Sequence, residues 1–268
     1  MFKWFKLQFT VLLFLFMGSN LFSLSLDQFI QAVYLQEKDD DGLFKLYNEV
    51  KPTLQSSYDK ALLDYYMARA YQSFDSVDVA INHNKSMRKG RFVSLFDFYS
   101  ARKEAIKFYE MALATIEGQL ASYSKKSNLT NSYSDLVALK SDCISQLCLL
   151  KSLSYTVGNG LSVARLAKEA LSINDKNIRA KMLIASSKIY PPKIYGGDPN
   201  GGIELLNQIS SDVKNDEDLF NLYSGYGYCY ARLENKEKAL SYIQKALDIY
   251  PTNVFVCALK KMVEEDSF

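Results

Sequence analysis

Apolar residues recur at three- and four-residue spacing over long stretches of this chain, the period of helices that bury one side. Residues 26–37 place Phe29, Ile30, Val33 and Tyr34 on one face, with Asp27 in the first turn, where the helix dipole favours an anion. Asp39, Asp40, Asp41 and Gly42 interrupt the pattern; the run lacks the alternate spacing of a calcium loop and reads as a solvated turn. A second helix is predicted over 42–50, stopped at Pro52, and a third over 56–73. Residues 72–104 begin polar and carry a basic cluster from Lys85 to Arg91, read as a solvated loop with the lone His83. From Phe92 the pattern resumes through Leu95, Phe96, Tyr99, Ile106, Tyr109, Leu113, Ile116 and Leu120, one face of a helix over 92–121. Residues 122–134 read as a linker, 135–157 as a long helix, and Gly158-Asn159-Gly160 as a turn. The expected class is all-α.

The most regular stretch is 220–253. Tyr223, Tyr226, Gly227 and Tyr230 mark a first helix, with Gly227 leaving room where two helices cross. Glu234-Asn235-Lys236 reads as the turn. Ala239, Ile243 and Ala246 mark a second helix whose small side chains allow close approach, and Pro251 stops it. These positions match the spacing of the 34-residue tetratricopeptide repeat signature, with tyrosine in place of its Trp and Leu, and the stretch resembles one such repeat. One hairpin cannot bury its apolar face alone, so neighbours are required. Looser units follow the same spacing: 61–116 (Met67, Ala68, Tyr71, then Ala105, Tyr109, Ala112, with an insertion in the turn), 144–177 (Leu147, Leu150, then Val163, Ala167, Ala170) and 178–216 (Lys181, Ile184, Ala185, then 203–209). A last helix covers 254–266. The resemblance implies a tetratricopeptide-like helical-hairpin solenoid with irregular, insertion-bearing early repeats, a single domain over 24–268. In the loop 191–199, two prolines stop a helix, Asp198 suits an N-cap and Pro199 the first helical position.

Residues 1–23 read as a signal peptide: Lys3 and Lys6, an apolar core from Phe9 to Met17, and the small Ser23 before the cut. The chain of 268 residues has a formal charge of +2, and without this leader 30 basic residues balance 30 acidic ones. A neutral chain gives little steering toward nucleic acid. The expected location is outside the cytoplasm, in a bacterial periplasm, or at the inner membrane if the leader is retained. Four cysteines show no zinc-type spacing and read as buried thiols. With one histidine and no GxSxG, HExxH or P-loop, no catalytic residues, metal site or cofactor are expected.

In the tetratricopeptide family, the first helices line a concave surface. Carried over by repeat position, that surface includes Tyr65, Arg69, Ser152, Tyr155, Met182, Ser186, Tyr190, Tyr228 and Arg232, with Ser145, Cys148, Arg179, Asn221 and Ser224 beside them. It is rich in aromatic and hydroxyl groups, which suits a peptide backbone or a moderately apolar ligand. The resemblance implies a non-catalytic protein- or peptide-binding scaffold of the bacterial cell envelope. The alternative is a periplasmic small-ligand-binding or transport accessory protein, similar to the tetratricopeptide subunits associated with tripartite ATP-independent periplasmic transporters.

Overall fold

The computed structural model describes residues 25–36, 38–73, 76–88, 103–123, 130–191, 193 and 196–266. The leader expected at 1–23 lies outside them, as do residues 92–102 of the long helix expected over 92–121. Every regular element among the described residues is helical. They are α1 (Leu26–Leu35), α2 (Asp40–Val50) with a short 3-10 turn (Lys51–Thr53), α3 (Ser57–Gln72), α4 (Val77–Arg88), α5 (Lys103–Ser122), α6 (Asn131–Leu150), α7 (Leu153–Ile173), α8 (Ile178–Ile189), α9 (Pro199–Ile209), α10 (Asp216–Arg232), α11 (Lys236–Ile249) and α12 (Val254–Glu264).

Local chemistry sets the helix starts. A free N-terminal N–H needs an acceptor, and short polar side chains supply it. Ser25 and Gln28 form a reciprocal capping box on α1. Asn177, Asn215, Asn235 and Asn253 accept from Ala180, Asp218, Lys238 and Val256 at the starts of α8, α10, α11 and α12. Asp198 accepts from the Gly201 N–H at 3.0 Å, with Pro199 in the first turn of α9. Gly196, at φ 89°, makes the bend before it, a conformation that favours a residue without Cβ.

Packing follows a repeating order. The pairs α3/α5, α6/α7, α8/α9 and α10/α11 are hairpins, and each second helix also packs on the first helix of the next pair. The first helices α3, α6, α8, α10 and finally α12 are neighbours in that order. In α10/α11 a Cβ on Gly227 would stand 2.8 Å from Ile243 Cγ1 and 3.4 Å from the Ile243 backbone nitrogen. The two helices therefore approach tightly there, with no room for a side chain on Gly227. Ala239, Ile243 and Ala246 are fully buried. Tyr242, unmarked in the sequence, gathers the tyrosines of α10: its ring lies 4.6 Å from Tyr226, 5.6 Å from Tyr230 and 6.3 Å from Tyr223.

The two ends of the array meet. Tyr34 of α1 stacks on Tyr250 at 4.7 Å and lies edge-on to Phe220 at 5.3 Å. Thr252 donates to the Leu35 carbonyl and Asn253 to that of Tyr34, satisfying acceptors at the end of α1. In return, Gln36 Oε1 accepts from the Val254 N–H at 2.6 Å, the first of α12. One buried apolar cluster consequently runs from Phe29 to Val263. A second contact between early and late chain is made by α4, which packs on α12.

Three expectations change. Gly158-Asn159-Gly160 is no turn but lies within α7, and the break falls instead at Lys151 and Ser152, both extended. Glycine permits a turn without requiring one; here Asn159 donates to the Tyr155 carbonyl and Ser162 to that of Asn159, bonds that fit the helix. The unit expected at 144–177 starts earlier, at Asn131, because the linker is shorter than its polar composition suggests. Within 72–104, residues 77–88, His83 included, are helical, since Ala80 and Ile81 find an apolar face on α12.

Candidate functional site

The inner faces of the first helices converge on a polar chain centred on Arg179. Its position on α8 is fixed by the Asn177 cap two residues earlier. Arg179 Nη1 donates to Asp142 Oδ2 of α6 at 2.7 Å, and Nη2 to the Tyr66 hydroxyl of α3 at 3.4 Å. Tyr65 donates to the same Asp142 oxygen at 2.9 Å, while its ring lies 5.1 Å beneath the guanidinium. Tyr66 donates to Glu217 of α10, and Tyr34 of α1 donates to the same oxygen at 3.2 Å. Asn221 in turn donates to the Tyr34 hydroxyl. On the other side Asp142 accepts from Gln146, which pairs with Gln72, which accepts from Tyr109 of α5 at 2.6 Å. Six helices are thus tied through side chains alone.

Burial governs the charges. It pushes the Glu217 carboxyl above its usual range, only partly offset by Arg179 and by the Tyr66 and Tyr34 hydroxyls, while neighbouring Asp218 adds to the rise. Asp135, also near Arg179, is raised by burial in the same way. Burial raises the phenols of Tyr34, Tyr65 and Tyr66 well above their ordinary value, so they remain neutral donors. The thiols are displaced likewise, Cys229 to about 12, and all four cysteines are free. A thiol so raised is a poor nucleophile at neutral pH. Among the described residues no three His, Cys, Asp or Glu side chains gather where they could hold a metal ion.

A pH dependence follows from Glu217. A carboxyl raised in the native state holds its proton more tightly than in the unfolded chain, where its value is about 4.3. Its contribution to stability therefore grows as pH falls from neutrality and is lost as pH rises through the folded value. In urea melts, the wild type is expected to gain stability from its raised carboxyls as pH falls from neutrality toward their unfolded values of about 4. Glu217→Gln removes the Glu217 share of that gain, leaving the shares of Asp64 and Asp135, which burial raises in the same direction. An unchanged pH profile in the variant would refute the assignment.

The residues expected on a concave surface are distributed differently. Tyr65 and Tyr228 are buried, at 4 % and 0 % exposure, and do not line an open groove. Tyr228 packs against Tyr190, ring to ring at 5.1 Å. Arg232 donates to the Ile189 and Pro191 carbonyls at 3.0 and 2.8 Å, fastening the chain where α8 ends. Arg69, Met182 and Ser186 are half-buried on α3 and α8. Ser152 and Tyr155 open α7, the second helix of its hairpin, because the α6–α7 break comes earlier than the glycines suggested. Tyr65 of the predicted set, with Arg179 and Asn221 beside it, joins the polar chain directly; Asp142, Glu217, Tyr34 and Tyr66 were missed. Their one signal is a charged or phenolic residue on an otherwise core-facing stripe, as Asp142 is between Leu139 and Cys143.

A different surface emerges around Ser152 and Tyr155. One turn further, Val157 and Leu161 stand on α7 with 73 % and 88 % of their surface exposed. Residues 152–164 carry no charged side chain. Cβ atoms on Gly158 and Gly160 would meet nothing within 4 Å. No helix among the described residues is long and apolar enough to cross a membrane. No family model matches the chain, and no curated protein matches it in sequence.

Proposed function

We propose that this protein is a non-catalytic, protein- or peptide-binding helical-repeat scaffold of the tetratricopeptide type, exported to the cell envelope by its amino-terminal segment. The carrying observation is the pair Val157 and Leu161, large aliphatic side chains four residues apart on one face of α7 and mostly exposed. A single exposed aliphatic is ordinary; two on one helical face within an uncharged stretch favour contact with another apolar surface. The partner's matching segment is apolar and uncharged, since a charge buried against residues 152–164 would find no counterion there. The ionisable groups at the centre of the hairpin stack hydrogen-bond to one another across α1, α3, α6, α8 and α10, an arrangement suited to holding helices together. The binding surface is accordingly placed on α7, with Ser152 and Tyr155 at its edge.

The test is a photo-crosslinking residue placed at Leu161 in living cells, with the same residue at Gly118 of α5 as the reference. An adduct of defined mass is expected at 161, absent at 118, and abolished by Val157→Asp. Both positions are exposed, so neither replacement should lower the melting temperature appreciably. Equal adducts at both positions, or an adduct indifferent to Val157→Asp, would sink the reading. Fractionation of the same cells tests the envelope location.

A further inference from the structure

The outer face of α12 is where a further hairpin would stack in a longer array, and α4 covers it. Among the described residues α12 is the one helix on which α4 packs to any extent. The contact is a small cluster separate from the main core: Ala80 and Ile81 against Ala258 and Met262, edged by Val77, Val254 and Phe255. One ion pair accompanies it, Lys261 to Asp78 at 3.0 Å, and both side chains are largely in water, at 46 % and 78 % exposure. An ion pair that exposed adds direction more than strength.

Sequence argues that α4 does not hold its helix unaided. Its twelve residues include Val77, Val79 and Ile81, which are β-branched, and Asn82, His83, Asn84 and Ser86, all weak helix formers. Isolated helices shorter than ~12–15 residues are marginal in water even with strong formers. The α4 helix is therefore maintained by the face it lies on. Segments with few buried contacts open as local units while the rest of the molecule stays folded.

We infer that the outer face of α12 is a receptor for an amphipathic helix, loaded in this structure with the protein's own α4. The partner it fits is read from α4: a small residue followed by a branched aliphatic, with a carboxylate two residues before the small one to meet Lys261. Such a helix laid on an apolar face is a recurrent mode of recognition. Partner binding and α4 docking are mutually exclusive, so α4 sets the affinity that any competing helix must exceed. This surface is distinct from that of α7, and neither reading depends on the other.

The experiment uses the full chain and a fluorescent peptide of residues 76–88. Hydrogen exchange of the wild type should show α4 amides exchanging at least tenfold faster than those of α12, through an opening that leaves α10 and α12 protected. Ile81→Asp should undock α4 and raise the affinity for the peptide at least tenfold. Adding Lys261→Glu should weaken peptide binding a few-fold, and a peptide carrying Ile81→Asp should not bind. If Ile81→Asp fails to fold, Asp78→Lys, a change at an exposed position that repels Lys261, takes its place with the same expected direction. The inference is overturned if α4 exchanges only with global unfolding, or if undocked α4 brings no tighter peptide binding. A failure here leaves the α7 crosslinking result untouched.

Discussion

Arg179→Met is expected to destabilise the protein by about 3–5 kcal/mol, the cost of stranding buried carboxylates without their cation. For a chain of this size that lowers the melting temperature by roughly 6–20 °C. The loss is large because Arg179 serves several partners together: Asp142 by a 2.7 Å bond, the Tyr66 hydroxyl, and Glu217 at 4.0 Å. At 21 % exposure the guanidinium keeps some contact with water, which favours the lower part of the range. Glu217→Gln made in the Arg179→Met background should recover part of the loss, since it neutralises one of the two stranded carboxylates. That positive coupling separates an electrostatic role from simple packing, where the two changes would add. Calorimetric melts of the four proteins give the answer, and strict additivity would contradict the account.

Gly227→Val is the second large effect. Its Cβ would stand 2.8 Å from Ile243 Cγ1 and 3.6 Å from the Ala239 carbonyl oxygen, and the added methyls reach further still. Because backbone atoms of α11 line that space, the clash cannot be relieved by one side-chain rotation. Overpacking of this kind costs about 1–3 kcal/mol, and a branched residue belongs at the upper end. Gly118 supplies the contrast, with nothing within 4 Å of its Cβ position on the exposed face of α5. Gly118→Ala is expected to stabilise by somewhat under ~1 kcal/mol through helix propensity alone. Opposite signs for the two glycine replacements in urea melts would support the crossing; equal signs would not.

What the sequence revealed, and what it hid, divides along physical lines. Helical periodicity and the stops at Pro52 and Pro251 report local preferences, and they located most helices. Gly227, Ala239 and Ala246 were legible because close backbone approach demands small residues at fixed spacing. The glycines at 158 and 160 misled, since their neighbours' side chains support a helix that composition alone does not suggest. The helix of α4 could not be read from 77–88, because it depends on Ala258 and Met262 far along the chain. The polar chain was hidden for the same reason. Whether Glu217 faces water or Tyr34 depends on α1 reaching α10, and nothing local to Asp216-Glu217-Asp218 distinguishes the inner carboxylate from its neighbours. The concave-surface positions failed where neighbouring helices closed over them, as at Tyr65 and Tyr228.

The reciprocal bonds between the end of α1 and the start of α12 bear on how the chain is made. Tyr34 and Asn253 are 219 positions apart, yet Asn253 donates to the Tyr34 carbonyl while Gln36, two residues on, accepts the first N–H of α12. During vectorial synthesis α1 is among the first described segments to leave the ribosome, and its partners are among the last. The middle hairpins can form as they emerge, whereas Tyr34 gains Glu217, Phe220 and Asn221 only with α10, and its stacking partner Tyr250 later still. Nascent chains halted before α10 should therefore remain sensitive to protease at α1, and full resistance should come only once α12 has been released.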